Sequence, residues 1–324
     1  MSRGNQILAI LLVVQLALAA AVLWPRSAST AGGEPLFPGL EADQVVRVTI
    51  ADGEGERIEL TRNAGQWGLA EADNYPCQED AVDDIIGKVA AITTDRLITR
   101  TPASHKRLQV ADGDYARLVE LELADGAVHQ LYLGTSPSYG MAHVRAAGED
   151  AVYLTPELSS TDVNARAAGW VDTLYLSVPG DQIVGLTLEN GNGMFEFQKG
   201  EGGAWTMVGL SADETANANN VESLANRVSS VRMLRPLGTE AQEEYGLQDP
   251  SAVVLIRTQD EAGAIEVTTL HVGSRSDEDS SYVVKTSKTA YYVRVAEYTA
   301  GDLVDKMRED FLELPPTATP QPAS

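Results

Sequence analysis

Asp43-Gln44-Val45-Val46, an Asp52-Gly53 turn and Trp67 recur further along the chain as Asp181-Gln182-Ile183-Val184, an Asn190-Gly191 turn and Trp205. Asp43 and Asp181 lie 138 residues apart, and so do Trp67 and Trp205. A self-similar period has to be settled before any other fold signal, because each copy must build the same unit. The period predicts two tandem modules, over residues 40–176 and 177–314.

Each module reads as α+β, an antiparallel hairpin followed by a helix. Val46, Val48 and Ile50 alternate with Arg47 and Thr49, turn at Asp52-Gly53 and return through Ile58 and Leu60; this is the period and turn chemistry of a hairpin. Its counterpart is Val184, Leu186 and Leu188, returning through Phe195 and Phe197. Val82, Ile85, Ile86, Val89 and Ile92 then fall on one face of a helix, with Asp80 as its expected cap. Val221, Leu224, Ala225, Val228 and Val231 keep that spacing in the second module, with Asn219 or Asn220 to cap. A second hairpin turns at Asp125-Gly126. Thr155-Pro156 has the cap-then-proline signature of a last helix, matched by 297–308, and Trp170 aligns with Arg308.

Residues 1–26 hold an apolar run from Ile7 to Trp24, with Arg3 before it and Arg26 after. Its length favours an N-terminal transmembrane helix, while the small residues Ser27-Ala28-Ser29 leave a cleaved signal segment open. Residues 27–39 read as a linker, and the Pro/Thr-rich 315–324 as a disordered tail. The expected location is the cell membrane, single-pass through Ile7 to Trp24, with the bulk of the chain outside the cytoplasm. The 324 residues carry 47 acidic and 24 basic side chains, a net charge of −23. Such a field repels polyanions, and no run of Lys and Arg offsets it, so nucleic acid is excluded as a partner.

Catalytic chemistry has few handholds here. His105, His129, His143 and His271 are scattered, and no C-x-x-C or H-x-x-x-H pair is present to bind a transition metal. Gly53-Glu54-Gly55 and Gly191-Asn192-Gly193 sit in hairpin turns and lack the helix N-terminus a phosphate would need. Neither a phosphate-binding G-x-x-x-x-G-K-[ST] loop nor a G-x-S-x-G elbow occurs. Asp112-Gly113-Asp114 and Asp277-Glu278-Asp279 fall short of a calcium loop, which needs a distal bidentate glutamate. Lone Cys77 reads as a small apolar residue. No catalytic, cofactor or metal residue is therefore assigned. Trp67, Trp205 and Tyr245 remain as a possible partner or ligand surface, although each tryptophan ends a strand just ahead of the core helix, which favours packing between sheet and helix as its role.

The apolar run, the doubled hairpin and helix, Trp67 ahead of the helix, and Tyr245-Gly246-Leu247 through Pro250 ahead of a strand together resemble the bacterial domain-of-unknown-function family numbered 4340. In the first module Lys106-Arg107-Leu108 stands in place of Tyr-Gly-Leu. The resemblance spans residues 40–314. It implies a membrane-tethered extracytoplasmic protein, often encoded beside ABC-type export permeases and gliding-motility auxiliary proteins, and it brings no catalytic residues with it. The expected function is thus a non-enzymatic accessory or scaffold protein binding a partner such as an ABC-type permease or another envelope protein. The alternatives are a module binding envelope glycan or peptide and, more distantly, a hydrolase.

Overall fold

Ile50 pairs with Ile58, and Leu188 with Phe195, in the two hairpins that begin the sheets. The computed structural model describes residues 33–200 and 202–313, and the apolar run expected to form a transmembrane helix lies outside them. Among the described residues, no helix is long and apolar enough to cross a membrane.

In chain order the first half comprises β1 (Val45–Asp52), β2 (Arg57–Asn63), β3 (Gln66–Leu69), β4 (Tyr75–Pro76), α1 (Ala81–Ala90), β5 (Leu97–Thr99), β6 (Val110–Ala111), β7 (Asp114–Tyr115), β8 (Arg117–Leu123), β9 (Val128–Leu133), β10 (Ala142–Ala146) and β11 (Val152–Thr155). The second half comprises β12 (Leu174–Ser177), β13 (Ile183–Asn190), β14 (Gly193–Lys199), β15 (Trp205–Met207), α2 (Ala218–Ser229), β16 (Ser230–Arg232), β17 (Arg235–Gly238), β18 (Ala252–Gln259), β19 (Ile265–Arg275), β20 (Tyr282–Thr286), β21 (Tyr292–Val295) and α3 (Glu297–Asp305). These strands form a nine-stranded sheet, β4-β3-β2-β1-β8-β9-β10-β11-β5, and an eight-stranded sheet, β15-β14-β13-β18-β19-β20-β21-β17, both antiparallel throughout.

The expected α+β class is therefore corrected. The protein is mostly antiparallel β, in two large sheets, with few helices. Sequence periodicity under-reads the strands because β4, β6 and β7 are only two residues long, too short to show a period. The helix expected from Thr155-Pro156 is absent too. Side chains there capture the backbone instead: Thr155 Oγ1 accepts from Glu157 N, Asp162 Oδ2 from Ser159 N and Asn164 Oδ1 from Arg166 N. Local bonds of this kind compete directly with helical ones.

The two amphipathic helices lie where their spacing placed them. α1 buries Val82, Ile85, Ile86 and Val89, and α2 buries Val221, Leu224, Ala225 and Val228. Their caps differ from expectation. Asp80 adopts a left-handed conformation and makes no side-chain cap, and in α2 it is Asn217 whose side chain accepts from Asn220 N. Gly134 and Gly273 serve one purpose in both halves, since a Cβ would lie 1.9 Å from Leu108 O in one and 2.0 Å from Tyr245 O in the other. Only glycine lets the crossing chain come so near.

The chain entering each half is tied beside its helix. Leu36 N donates to Ile92 O and buried Phe37 joins the core, within the stretch expected as a linker. Val178 N donates likewise to Ser229 O, where β12 pairs with β16. Tyr175 of β12 reaches further: its hydroxyl donates to Tyr291 O at 2.7 Å and accepts from Thr286 N at 3.0 Å. Trp170 O accepts from Gln78 N just as Phe311 O accepts from Asn217 N. Trp170 thus corresponds to Phe311, three positions beyond the Arg308 chosen by alignment.

Candidate functional site

Trp67 and Trp205 are placed inside the protein, at 8% and 5% exposure. Trp67 Nε1 donates to Asp83 Oδ1 on α1 at 3.1 Å, under the Arg62 guanidinium 4.7 Å from the ring. Trp205 Nε1 donates to Glu222 on α2, with Lys199 Nζ 5.4 Å from the ring. Each indole therefore ties a strand to its helix and fills the core. Tyr245 sits apart from both, half-buried, its ring 5.3 Å from that of Tyr292; burial raises its phenol pKa. The three residues do not meet.

The histidines do not converge either. His105 Nε2 bonds Asp150 O at 2.9 Å, His143 Nδ1 lies 2.8 Å from Thr135 O, and His129 packs 5.0 Å from Phe37. His271 is held below its ordinary pKa by burial and by the charge of Lys285. No cluster of three or more His, Cys, Asp or Glu able to hold a metal occurs among the described residues. The Cys77 thiol is pushed up to about 11 by burial, so little of it is the reactive thiolate at neutral pH.

What the structure does bring together is a polar cleft of about 980 Å³ in the first half, lined by the Asp52–Gly55 turn, the β6–β7 ribbon, Arg117, Ser160, Asn164 and Arg166. This falls at the upper end of the size range of ligand pockets, roughly 300–1,000 Å³. Asp52, at 8% exposure, shapes the floor. Its Oδ1 accepts from Glu54 N and Glu56 N at 2.9 and 3.0 Å, while Oδ2 lies 3.9 Å from Arg117 Nη1. Arg117 is fixed by donating through Nε to Val163 O at 2.9 Å and through Nη1 to Ala116 O at 2.7 Å.

The ribbon wall is pinned from beneath by a buried charge. Arg145 of β10 donates through Nε to Val110 O at 2.6 Å, through Nη1 to Glu149 O at 3.0 Å, and pairs with Asp112. Its guanidinium lies 4.6 Å from the Tyr132 ring, whose phenol pKa is raised by burial and by the Asp112 charge. A guanidinium fork meeting two carbonyls and a carboxylate at once is a rigid support.

The second half closes the equivalent space. Asn190 stands where Asp52 stands, and its Nδ2 donates to Leu303 O and Lys306 O, both at 2.9 Å, at the end of α3. The counterpart of α3 in the first half is the irregular stretch 156–166 described above. The ribbon is also peculiar to the first half. Leu108 and Leu247 are offset by 139 residues, but Val119, opposite Ile50, and Val254, opposite Leu188, by only 135. Four additional residues between these points make β6–β7. That drop in offset was the one sequence signal of the cleft; Arg145, Arg117 and Asn164 gave none.

The family described as Domain of unknown function (DUF4340) matches at residues 67–248 and again at 205–317. The chain belongs to the DUF4340 family. The two matches to DUF4340 start at Trp67 and Trp205, the indoles that tie sheet to helix in each half. No curated protein and no solved structure matches the chain.

Proposed function

We propose that this chain is a membrane-attached, extracytoplasmic accessory protein, built from a duplicated module, that binds a partner through the cleft of its first half. The cleft carries this reading, being a polar recess held open by Arg145 and Arg117 at the place where the second half is plugged by α3. Carboxylates of Asp52, Glu54, Asp112 and Asp114 beside the guanidiniums of Arg117 and Arg166 suit a polar, charge-bearing segment of a partner rather than an apolar one. Attachment through the apolar run 7–24 is supported by its composition. The family resemblance supports a permease of an ABC-type transport or gliding-motility-like complex as the partner. Ser160→Trp, which fills the cleft from its rim, should abolish co-purification of such a permease from solubilised membranes and leave the unfolding midpoint unchanged. Undiminished co-purification would overturn the assignment.

A glycan or peptide ligand is the second reading. Tyr115 favours it, since an aromatic face among amide and carboxylate groups is how sugars and peptide planes are held. Saturable glycan or peptide binding lost in Tyr115→Ala, with permease recovery unchanged, would select it.

A further inference from the structure

One edge of the second sheet is covered by the first half. At strand β17, Asp73 Oδ2 accepts from Thr239 N and Thr239 Oγ1 at 2.6 and 2.8 Å, and Tyr75 packs edge-on against Tyr291 at 4.7 Å. Gly238 (φ +97°) passes so close that a Cβ would lie 2.7 Å from Asp73 Oδ2. Among the described residues, nothing covers the equivalent edge of the first sheet. Ladder register fixes the equivalence, for Gly238 opposes Tyr292 as Thr99 opposes Val152, and Pro236 opposes Val293 as Leu97 opposes Tyr153. Pro236 and Gly238 are buried, yet Leu97 and Ile98 are 40% and 46% exposed. Exposed Arg96, Arg100, Lys106 and Arg107 flank that edge, and none makes an ion pair among the described residues, in a chain of net charge −23.

The far end of the second half carries the complementary piece. Trp67 opposite Arg62 and Trp205 opposite Lys199 hold the same place, so the Ala70–Tyr75 turn that covers β17 corresponds to residues 208–213. Val208 is 45% exposed there, and exposed Ser211 and Asp213 stand where Asp73 and Tyr75 stand.

We propose that the chain associates head to tail, with the 208–213 turn of one copy covering the Leu97–Thr99 edge of the next. The contact that joins the two halves within one molecule is thereby repeated between molecules. Transposed, it sets Ser211 against Arg100, which replaces Thr239, and the carboxylate for that guanidinium is Asp213, two residues further along the same turn. Cations beside an edge strand discourage indiscriminate strand pairing, and here they also select the acidic end of a second copy. The interface is heterologous, and it extends into a line unless its rotation closes a ring.

The test uses two full-length chains with different tags in a detergent with an uncharged headgroup, each carrying Cys77→Ser. One has Thr99→Cys, the other Ser211→Cys, and copper phenanthroline is the oxidant. The 99–211 adduct should exceed both the 99–99 and the 211–211 adducts. Arg100→Asp should weaken association about tenfold, the scale of one favourable charge pair at an interface, and Asp213→Arg on the partner should restore it. Each variant should keep the parental unfolding midpoint. A monomer at every concentration in sedimentation, or a dominant 99–99 adduct, would overturn the proposal. So would the absence of the 99–211 adduct together with Arg100-dependent binding to phosphatidylglycerol vesicles, which would assign the edge to a bilayer. The readout does not pass through the cleft, so its failure leaves the proposed partner site standing.

Discussion

Asp73 accepts two hydrogen bonds from Thr239, one from its amide and one from its hydroxyl, across a separation of 166 residues. These bonds are the main reason that the Asp73 carboxyl lies below its ordinary pKa. A depressed folded-state pKa contributes stability that is present above the unfolded value and lost as pH falls through the folded one. Asp73→Ala should therefore speed hydrogen exchange at the Thr239 amide at neutral pH, and acidification of the parent through the Asp73 transition should lower that amide's protection factor, measured against the slower intrinsic exchange at acid pH. Asp73→Asn, which keeps an acceptor without the charge, should fall between the two.

Trp67→Ala and Trp205→Ala should each lower unfolding free energy by about 3–5 kcal/mol, the range for deleting a buried large aromatic. Binding measured per folded molecule should be unchanged, because both indoles face helices. Denaturant titration beside a binding isotherm separates the two effects.

Arg145→Met should leave the Val110 carbonyl without its donor, at about 1–3 kcal/mol for the buried group, and should free the β6–β7 ribbon. Faster hydrogen exchange across residues 110–115, with α2 unaffected, is the expected pattern. Arg145→Lys should rescue little, since an ammonium cannot span Val110 O, Glu149 O and Asp112 as the fork does.

Glu214 is held at about 2, first by hydrogen bonding from Arg308 and then by the Ser211 amide. Its contribution is complete above the unfolded carboxylate value and disappears only as pH falls through about 2. A carboxyl NMR titration should show this acid-shifted transition, and Arg308→Gln should move it back toward 4.5.

Much of the framework was legible because it is local. Val48 and Ile50 alternate against Thr49, and Ile85, Ile86 and Val89 share one helical face, and each pattern became the element it implied. Sheet breadth was not legible. The pairing of β5 with β11, more than fifty residues further on, has no local signal, and the two-residue strands β4, β6 and β7 carry no period of their own. Thr155-Pro156 misled for a physical reason, since a good cap cannot prevail when Asp162 and Asn164 offer the backbone nearer partners. The cleft was the least legible feature of all. Its floor joins Asp52 to Arg117, its support joins Arg145 to Val110, and its openness depends on a helix that forms in only one half.

Tyr175 has a mechanical consequence. Because its hydroxyl stitches the connecting strand into β20 and the β21 approach before the second sheet begins, the connection between the halves is a welded bracket rather than a swivel.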